Sequence, residues 1–276
     1  MHRPYPALQH QSKKVVNLSL VEFIDTHTHC TDEAFSPEEQ DGFVQRAVAA
    51  GVKKMLLADI DSSERDAMYA VAARYPGVLY PMLGLYPGSV RENWRDETDA
   101  LEARKGRGAV AVGEIGLDYH YGTQFMEQQK EALRVQFELA SEWDLPVNIH
   151  LRDATEDFFR VLDDCRHLHL RGNLHAFSGS IETFRRIRRC GDWSVGIGGV
   201  VTFRNASLQQ TVKDIPLECI LLETDAPYMA PTPLRGTRNE SANIPLIAAK
   251  IAELKGVDIE TVAQITTENA RRLFNI

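Results

Sequence analysis

Cysteine is scarce in this chain, with four among 276 residues. Cys30, Cys165, Cys190 and Cys219 show no CxxC spacing, which excludes a disulfide framework and a zinc knuckle and makes a reducing cytoplasm the expected setting. Long apolar runs are also missing. Lys13 and Lys14 sit near the start, but Asn17, Ser19 and Glu22 interrupt the one stretch that could act as a signal peptide. Nothing approaches the roughly 20 apolar residues of a membrane span, so no membrane partner is expected. Residues 1–20 read as a loose N-terminal extension, and residues 21–276 as a single domain. Positive charge is in deficit too: 31 Lys and Arg face 39 Asp and Glu, a formal net charge of -8. That balance excludes a protein that coats duplex nucleic acid electrostatically. A nuclease survives the exclusion, because bound divalent ions supply positive charge where phosphate must approach.

What the chain does have is alternation. Extended apolar runs begin at Val21, Val52, Val78, Ala109, Pro146, Gly172, Trp193 and Cys219. Amphipathic segments separate nearly all of them, with helices expected from Pro37, Ser62, Trp94, Met126, Thr155, Ile181 and Ser207 and two more over 241–255 and 258–275. Helix punctuation supports this division: Ser36 stands as an N-cap before Pro37, and Gly51 ends the first helix. Strands alternating with helices imply parallel strands covered by helices. Eight such units in one domain of this length predict an α/β fold of the TIM (β/α)8 type, with an open doubly wound sheet as the alternative.

In such a barrel the chemistry sits at the carboxyl ends of the strands. The first run leads into His27-Thr28-His29, and a strand points alternate side chains to one side, so these imidazoles can grip one ion together. Other runs end on Glu114, His150, His175 and the Glu223-Thr224-Asp225 triplet. A lone histidine at a strand end is commonly a hydrogen-bonded structural residue, and Asp225 before Ala226-Pro227 could simply cap a turn. Five strands bringing such groups to one rim call for a metal instead. The donors are imidazole and carboxylate without thiolate, which suits zinc, manganese, cobalt, iron or nickel better than calcium. Glu114, on a strand between the two histidine groups, is the natural bridge between two ions. His27, His29 and Asp225 would complete one site, and His150 with His175 the other. Such a pair of ions supports hydrolysis.

These residues lie in ordered blocks: Phe23-Ile24-Asp25-Thr26-His27-Thr28-His29, Gly113-Glu114-Ile115-Gly116-Leu117-Asp118-Tyr119, Pro146-Val147-Asn148-Ile149-His150-Leu151-Arg152-Asp153, His175-Ala176-Phe177-Ser178-Gly179, Gly198-Gly199-Val200-Val201-Thr202-Phe203 and Leu222-Glu223-Thr224-Asp225-Ala226-Pro227-Tyr228. In this order the chain resembles the TatD-related metal-dependent hydrolases of the amidohydrolase superfamily, from about Phe23 to Phe274. The resemblance implies a TIM barrel with two divalent ions, zinc, manganese or magnesium, and hydrolysis of phosphodiesters, often from a 3′ end. By motif position His27, His29, Glu114, His150, His175 and Asp225 carry over as ligands. Asp225 also carries over as the group that takes a proton from the attacking water, shared with Glu223. Arg152, Arg235 and Arg238 are candidates to meet phosphate. The chain departs from the family at Gly84-Leu85-Tyr86-Pro87, where Tyr86 replaces a common histidine; tyrosine keeps a hydrogen-bonding tip but is not a cation near neutral pH. His120 is a candidate to stand in for it, and Ala176 occupies a position where cysteine is usual.

The expected activity is thus a metal-dependent deoxyribonuclease trimming 3′ ends of single-stranded DNA. No RNA-recognition motif, zinc finger or long basic stripe is present, so nucleic acid would be gripped locally at its end. Two alternatives stand beside it. One is an amidase, esterase or lactonase acting on a small acyl compound, and the other a non-catalytic metal-binding scaffold. The sequence leaves the oligomeric state open, with a monomer sufficient for every residue named.

Overall fold

The computed structural model describes residues 21–276; the N-terminal extension expected over 1–20 lies outside them. Eight parallel strands appear in chain order: β1 (Phe23–Thr28), β2 (Val52–Leu57), β3 (Leu79–Pro81), β4 (Val112–Asp118), β5 (Val147–Arg152), β6 (Gly172–Leu174), β7 (Trp193–Ile197) and β8 (Ile220–Leu222). Ladders join β1 to β3 in one run and β4 to β8 in another, every pair parallel. Backbone hydrogen bonds span both seams. At one, Val110 N donates to Pro81 O (3.0 Å) and Gly113 N to Leu83 O (3.1 Å); at the other, Asp225 N donates to His27 O (2.9 Å) and His29 N to Ala226 O (2.8 Å). The fold is the expected TIM-type α/β architecture in a single domain.

The covering helices are α1 (Pro37–Ala49), α2 (Ser62–Arg74), α3 (Trp94–Glu102), α4 (Met126–Glu142), α5 (Thr155–Asp164), α6 (Ile181–Arg188), α7 (Leu208–Asp214), α8 (Ile244–Lys255) and α9 (Ile259–Phe274). Their ends follow the local chemistry. Ser36 and Glu39 form a capping box ahead of Pro37, Asp258 accepts from Thr261 N at the start of α9, and left-handed Gly256 closes α8. One apolar layer fills the space between helices and strands, with Phe43, Phe137, Phe158 and Trp193 among its fully buried members. A second cluster joins Ile24, Leu56, Ala111 and Leu221 to Ala270, Leu273 and Phe274 of α9. The last turns of α9 thus share one apolar cluster with side chains of the strands.

Strand boundaries differ in places from the sequence expectation. The run from Ala109 was expected to end on Glu114, yet β4 runs to Asp118 and carries Glu114 near its start. The cause is Gly116, with φ of 145°: a Cβ there would stand 1.9 Å from His150 O, so only glycine lets β4 lie this close to β5. β1 carries His27 as expected, and its register to β2 shifts between Asp25 and Thr28.

Candidate metal centre

The strand ends bring six donors together. His27 Nε2 and His29 Nε2 lie 3.1 Å apart. Glu114 Oε2 is 3.3 Å from the first and 3.5 Å from the second, and Asp225 Oδ1 is 3.6 Å and 3.4 Å from them. On the other side of the same carboxylate, Glu114 Oε1 is 2.8 Å from His150 Nδ1 and 2.8 Å from His175 Nε2. Those two nitrogens are 3.2 Å apart. A tetrahedral site with bonds near 2.1 Å has donors about 3.4 Å from one another; the first group has close to that spacing, and the second, at 2.8–3.2 Å, is tighter. Donor atoms in three overlapping sets, His27–His29–Glu114, His27–His175–Asp225 and Glu114–His150–His175, are close enough to hold an ion.

Electrostatics binds these groups tightly. Burial opposes the Glu114 charge, but His175 and His27 hold its carboxyl well below the usual range. Asp225 is lowered as well, its hydrogen bond to His29 and the nearby imidazoles outweighing burial. His175 is pushed down to about 4 by burial and by His27, while His150, despite burial, rises to about 9 through its contacts with Asp118 and Glu114. Four imidazoles in contact cannot all be cations, so protons and a metal compete for this site.

Around the donors stands a set of orienting contacts that sequence reasoning did not single out. His27 Nδ1 meets Asn148 Oδ1 at 2.8 Å, and Asn148 Nδ2 donates to Asn173 Oδ1 at 3.1 Å. Asp118 Oδ2 meets His150 Nε2 at 2.9 Å and thereby turns Nδ1 toward Glu114. Asp25 accepts hydrogen bonds from Thr224 and from His27 N, tying β1 to the end of β8. The buried ion pair of Asp59 and Arg65, 2.7 Å apart, also receives Gly84 N, which fixes the turn carrying Tyr86. Asparagines in otherwise apolar strand runs were the available signal, since a buried amide requires a partner.

A cavity of about 740 Å³ opens above the donors. Tyr86 lines it, its hydroxyl 3.5 Å from Asp118 Oδ2 and its ring edge-on to His150. Burial, then the charges of Glu114 and Asp118, raise this phenol well above its ordinary value, so it stays a neutral O–H. Arg152 lines the cavity as well, reaching the Tyr121 hydroxyl at 3.4 Å. Arg235 and Arg238 do not. Arg235 stacks on Phe203, and Arg238 is engaged with Glu39, Ala34 O and the Phe35 ring. His120 is likewise outside the lining, paired with Asp153 at 3.1 Å. Glu223 is fully buried, receives the Ala176 N–H, and has its carboxyl pushed well above the usual range by burial.

A TIM-type barrel with clustered imidazoles and carboxylates at the carboxyl ends of its strands defines a metal-dependent hydrolase of the amidohydrolase type. The family model for TatD-related DNase matches residues 24–275, and the chain belongs to that family. YabD of Bacillus subtilis, described as an uncharacterized metal-dependent hydrolase, is 36% identical over 259 residues, spanning 91% of this chain and 98% of its own. The 3′-5′ ssDNA/RNA exonuclease TatD of Erwinia billingiae is 33% identical over 260 residues, with 91% and 98% covered. Among solved structures, the TatD homolog YjjV of Escherichia coli superimposes with a TM-score of 0.82 at 32% identity, covering 92% of this chain and 98% of that one. Among the described residues, no helix is long and apolar enough to cross a membrane.

Proposed function

We propose that this protein is a two-metal hydrolase that removes nucleotides from the 3′ end of single-stranded DNA. The observation that carries the reading is the division of Glu114 between two histidine pairs, Oε2 facing His27 and His29 and Oε1 facing His150 and His175. Asp225 joins the first pair, and zinc, manganese or magnesium are the candidate ions. His27 and His29 with Asp225 would hold one ion and His150 with His175 the other, Glu114 serving both, and ions held there would supply an activated water and offset negative charge on the attacking and leaving oxygens. The residues of the chain do the rest. Asp225, ionised and within reach of the first pair, receives the water proton. Glu223, its carboxyl pushed above the usual range by burial, accepts the Ala176 N–H and supports the His175–Ala176 backbone beside it. Tyr86 offers a neutral hydrogen-bond donor inside the cavity, and Arg152 meets a phosphate oxygen. Support for nucleic acid as substrate comes from the family and from the activity named for the Erwinia relative.

A second reading has its own observation. Arg152 is the one Lys or Arg among the described residues that line the cavity, where Asp32 and Glu64 also stand beside Ile60, Phe177 and Leu208. A small acyl ester or amide would suit those walls. The deciding experiment uses protein reloaded with manganese, magnesium or zinc, its metal content measured, and an oligonucleotide whose 3′ end is free or blocked. Stepwise loss from the free end only, abolished in Glu114→Gln together with metal retention, is the expected result. Inertness of a protein shown to hold two ions would reject the nuclease reading and turn the search to acyl substrates. A protein that holds two ions and turns over neither class of substrate would leave the scaffold reading.

A further inference from the structure

The walls of the cavity are not alike in charge. On the side of β1 and β2, Asp32 and Glu64 face inward, and Tyr228 donates its hydroxyl to Asp32 at 2.7 Å. On the side of β4 and β5 there is Arg152, two residues beyond His150. Among the described residues, no carboxylate lies within 4.0 Å of the Arg152 guanidinium. It lies instead over the ring of Tyr121, 5.2 Å from the centroid, with a hydrogen bond to the hydroxyl. Tyr121 lies on the loop after β4 and is 81% exposed, the most exposed large apolar side chain of the described residues. His120 packs edge-on against the same ring and ties the loop to Asp153 beyond β5.

A polyanion entering this cavity is repelled from the side of Asp32 and Glu64 and drawn to that of Arg152. An exposed tyrosine steadied by a guanidinium is a platform for a nucleobase, since stacking on an aromatic ring is tolerant of sequence and the adjacent cation meets phosphate. We infer that Tyr121 and Arg152 form a subsite for one nucleotide of a single strand, Tyr121 stacking on its base and Arg152 holding its phosphate, so that the strand reaches Glu114 over the β4–β5 side. The inference rests on the nuclease reading above and specifies how that substrate is seated. A base gripped by stacking alone carries little sequence preference, so the subsite selects unpaired strands rather than particular bases.

The test separates binding from turnover. Oligonucleotides with cleavage-resistant phosphorothioate linkages, carrying 2-aminopurine at one of the last few 3′ positions, are titrated with manganese-loaded protein, and stacking is read as fluorescence quenching. Cleavage of unmodified strands is measured in parallel with manganese. In Tyr121→Leu, quenching is lost at one position and KM rises by about tenfold or more, with kcat within about twofold. Tyr121→Trp retains both signals. An abasic residue at that same position makes wild type and Tyr121→Leu equal. Unchanged quenching and KM in Tyr121→Leu, or an equal loss on intact and abasic strands, overturns the subsite. Quenching that depends on Tyr121 without any cleavage would uphold the subsite and reject the nuclease reading. Absence of binding by wild type would reject both.

Discussion

Asn148→Leu tests how the first metal position is prepared. His27 is fully buried, and Asn148 Oδ1, 2.8 Å from Nδ1, takes the proton on that nitrogen and leaves the Nε2 lone pair aimed at Glu114, His29 and Asp225. The amide is itself oriented by Asn173 Oδ1, 3.1 Å from its Nδ2. Leucine is similar in size but accepts nothing, so the imidazole loses the contact that selects its tautomer. Removing such an outer partner of a metal-binding histidine costs about 10- to 100-fold in affinity, or roughly 1.4–2.8 kcal/mol. The loss falls on one ion, because Asn148 orients His27 alone, while His150 is held by Asp118. Chelator competition at fixed pH, followed by metal counting, should therefore give one weakened site and one unchanged site. Asn148→Asp restores an acceptor and should recover affinity. Wild-type binding of both ions by Asn148→Leu would refute the reasoning, as would equal weakening of both.

Protons and backbone give two further predictions. In metal-free protein His150 titrates at about 9 against an ordinary 6.5, because Asp118 and Glu114 outweigh burial. A raised folded-state value stabilises below about pH 6.5, and that contribution is lost as pH rises through about 9; it is worth on the order of 3 kcal/mol. Chelated protein should melt lower at pH 9.5 than at pH 6, and His150→Gln should flatten that difference; an unchanged pH slope in the variant would count against it. Gly116→Ala places a methyl 1.9 Å from His150 O at a φ of 145°. Denaturant unfolding should show a loss of about 3 kcal/mol or more, with metal retention falling alongside, and a variant of wild-type stability would contradict the proposed close approach.

Sequence alone went far with the fold because its signals are local. Alternating apolar runs and capped amphipathic segments located every strand and helix to within a few residues, Ser36, Pro37 and Gly51 marking the first helix as expected. What stayed hidden depends on contacts between segments distant in the chain. Nothing near Glu114 announces that β4 continues to Asp118; the close approach of Gly116 to His150 does so. Arg152, Arg235 and Arg238 look alike in sequence as candidates for phosphate, but their neighbours Tyr121, Phe203 and Glu39 separate them. Glu223 and Asp225 stand two residues apart on the same strand end, and burial against Gly196 sets one apart from the other.

The sequence determined the alternation, the class of donors and their order, since strand ends, imidazoles and carboxylates are properties of short segments. Only the tertiary structure decided that the two oxygens of Glu114 face different histidine pairs, that Asn148 and Asp118 orient those histidines, and that one side of the cavity carries Arg152 while the other carries Asp32. Each of those is a distance between residues remote in the chain, and such distances exist only once the strands have come together around a common rim.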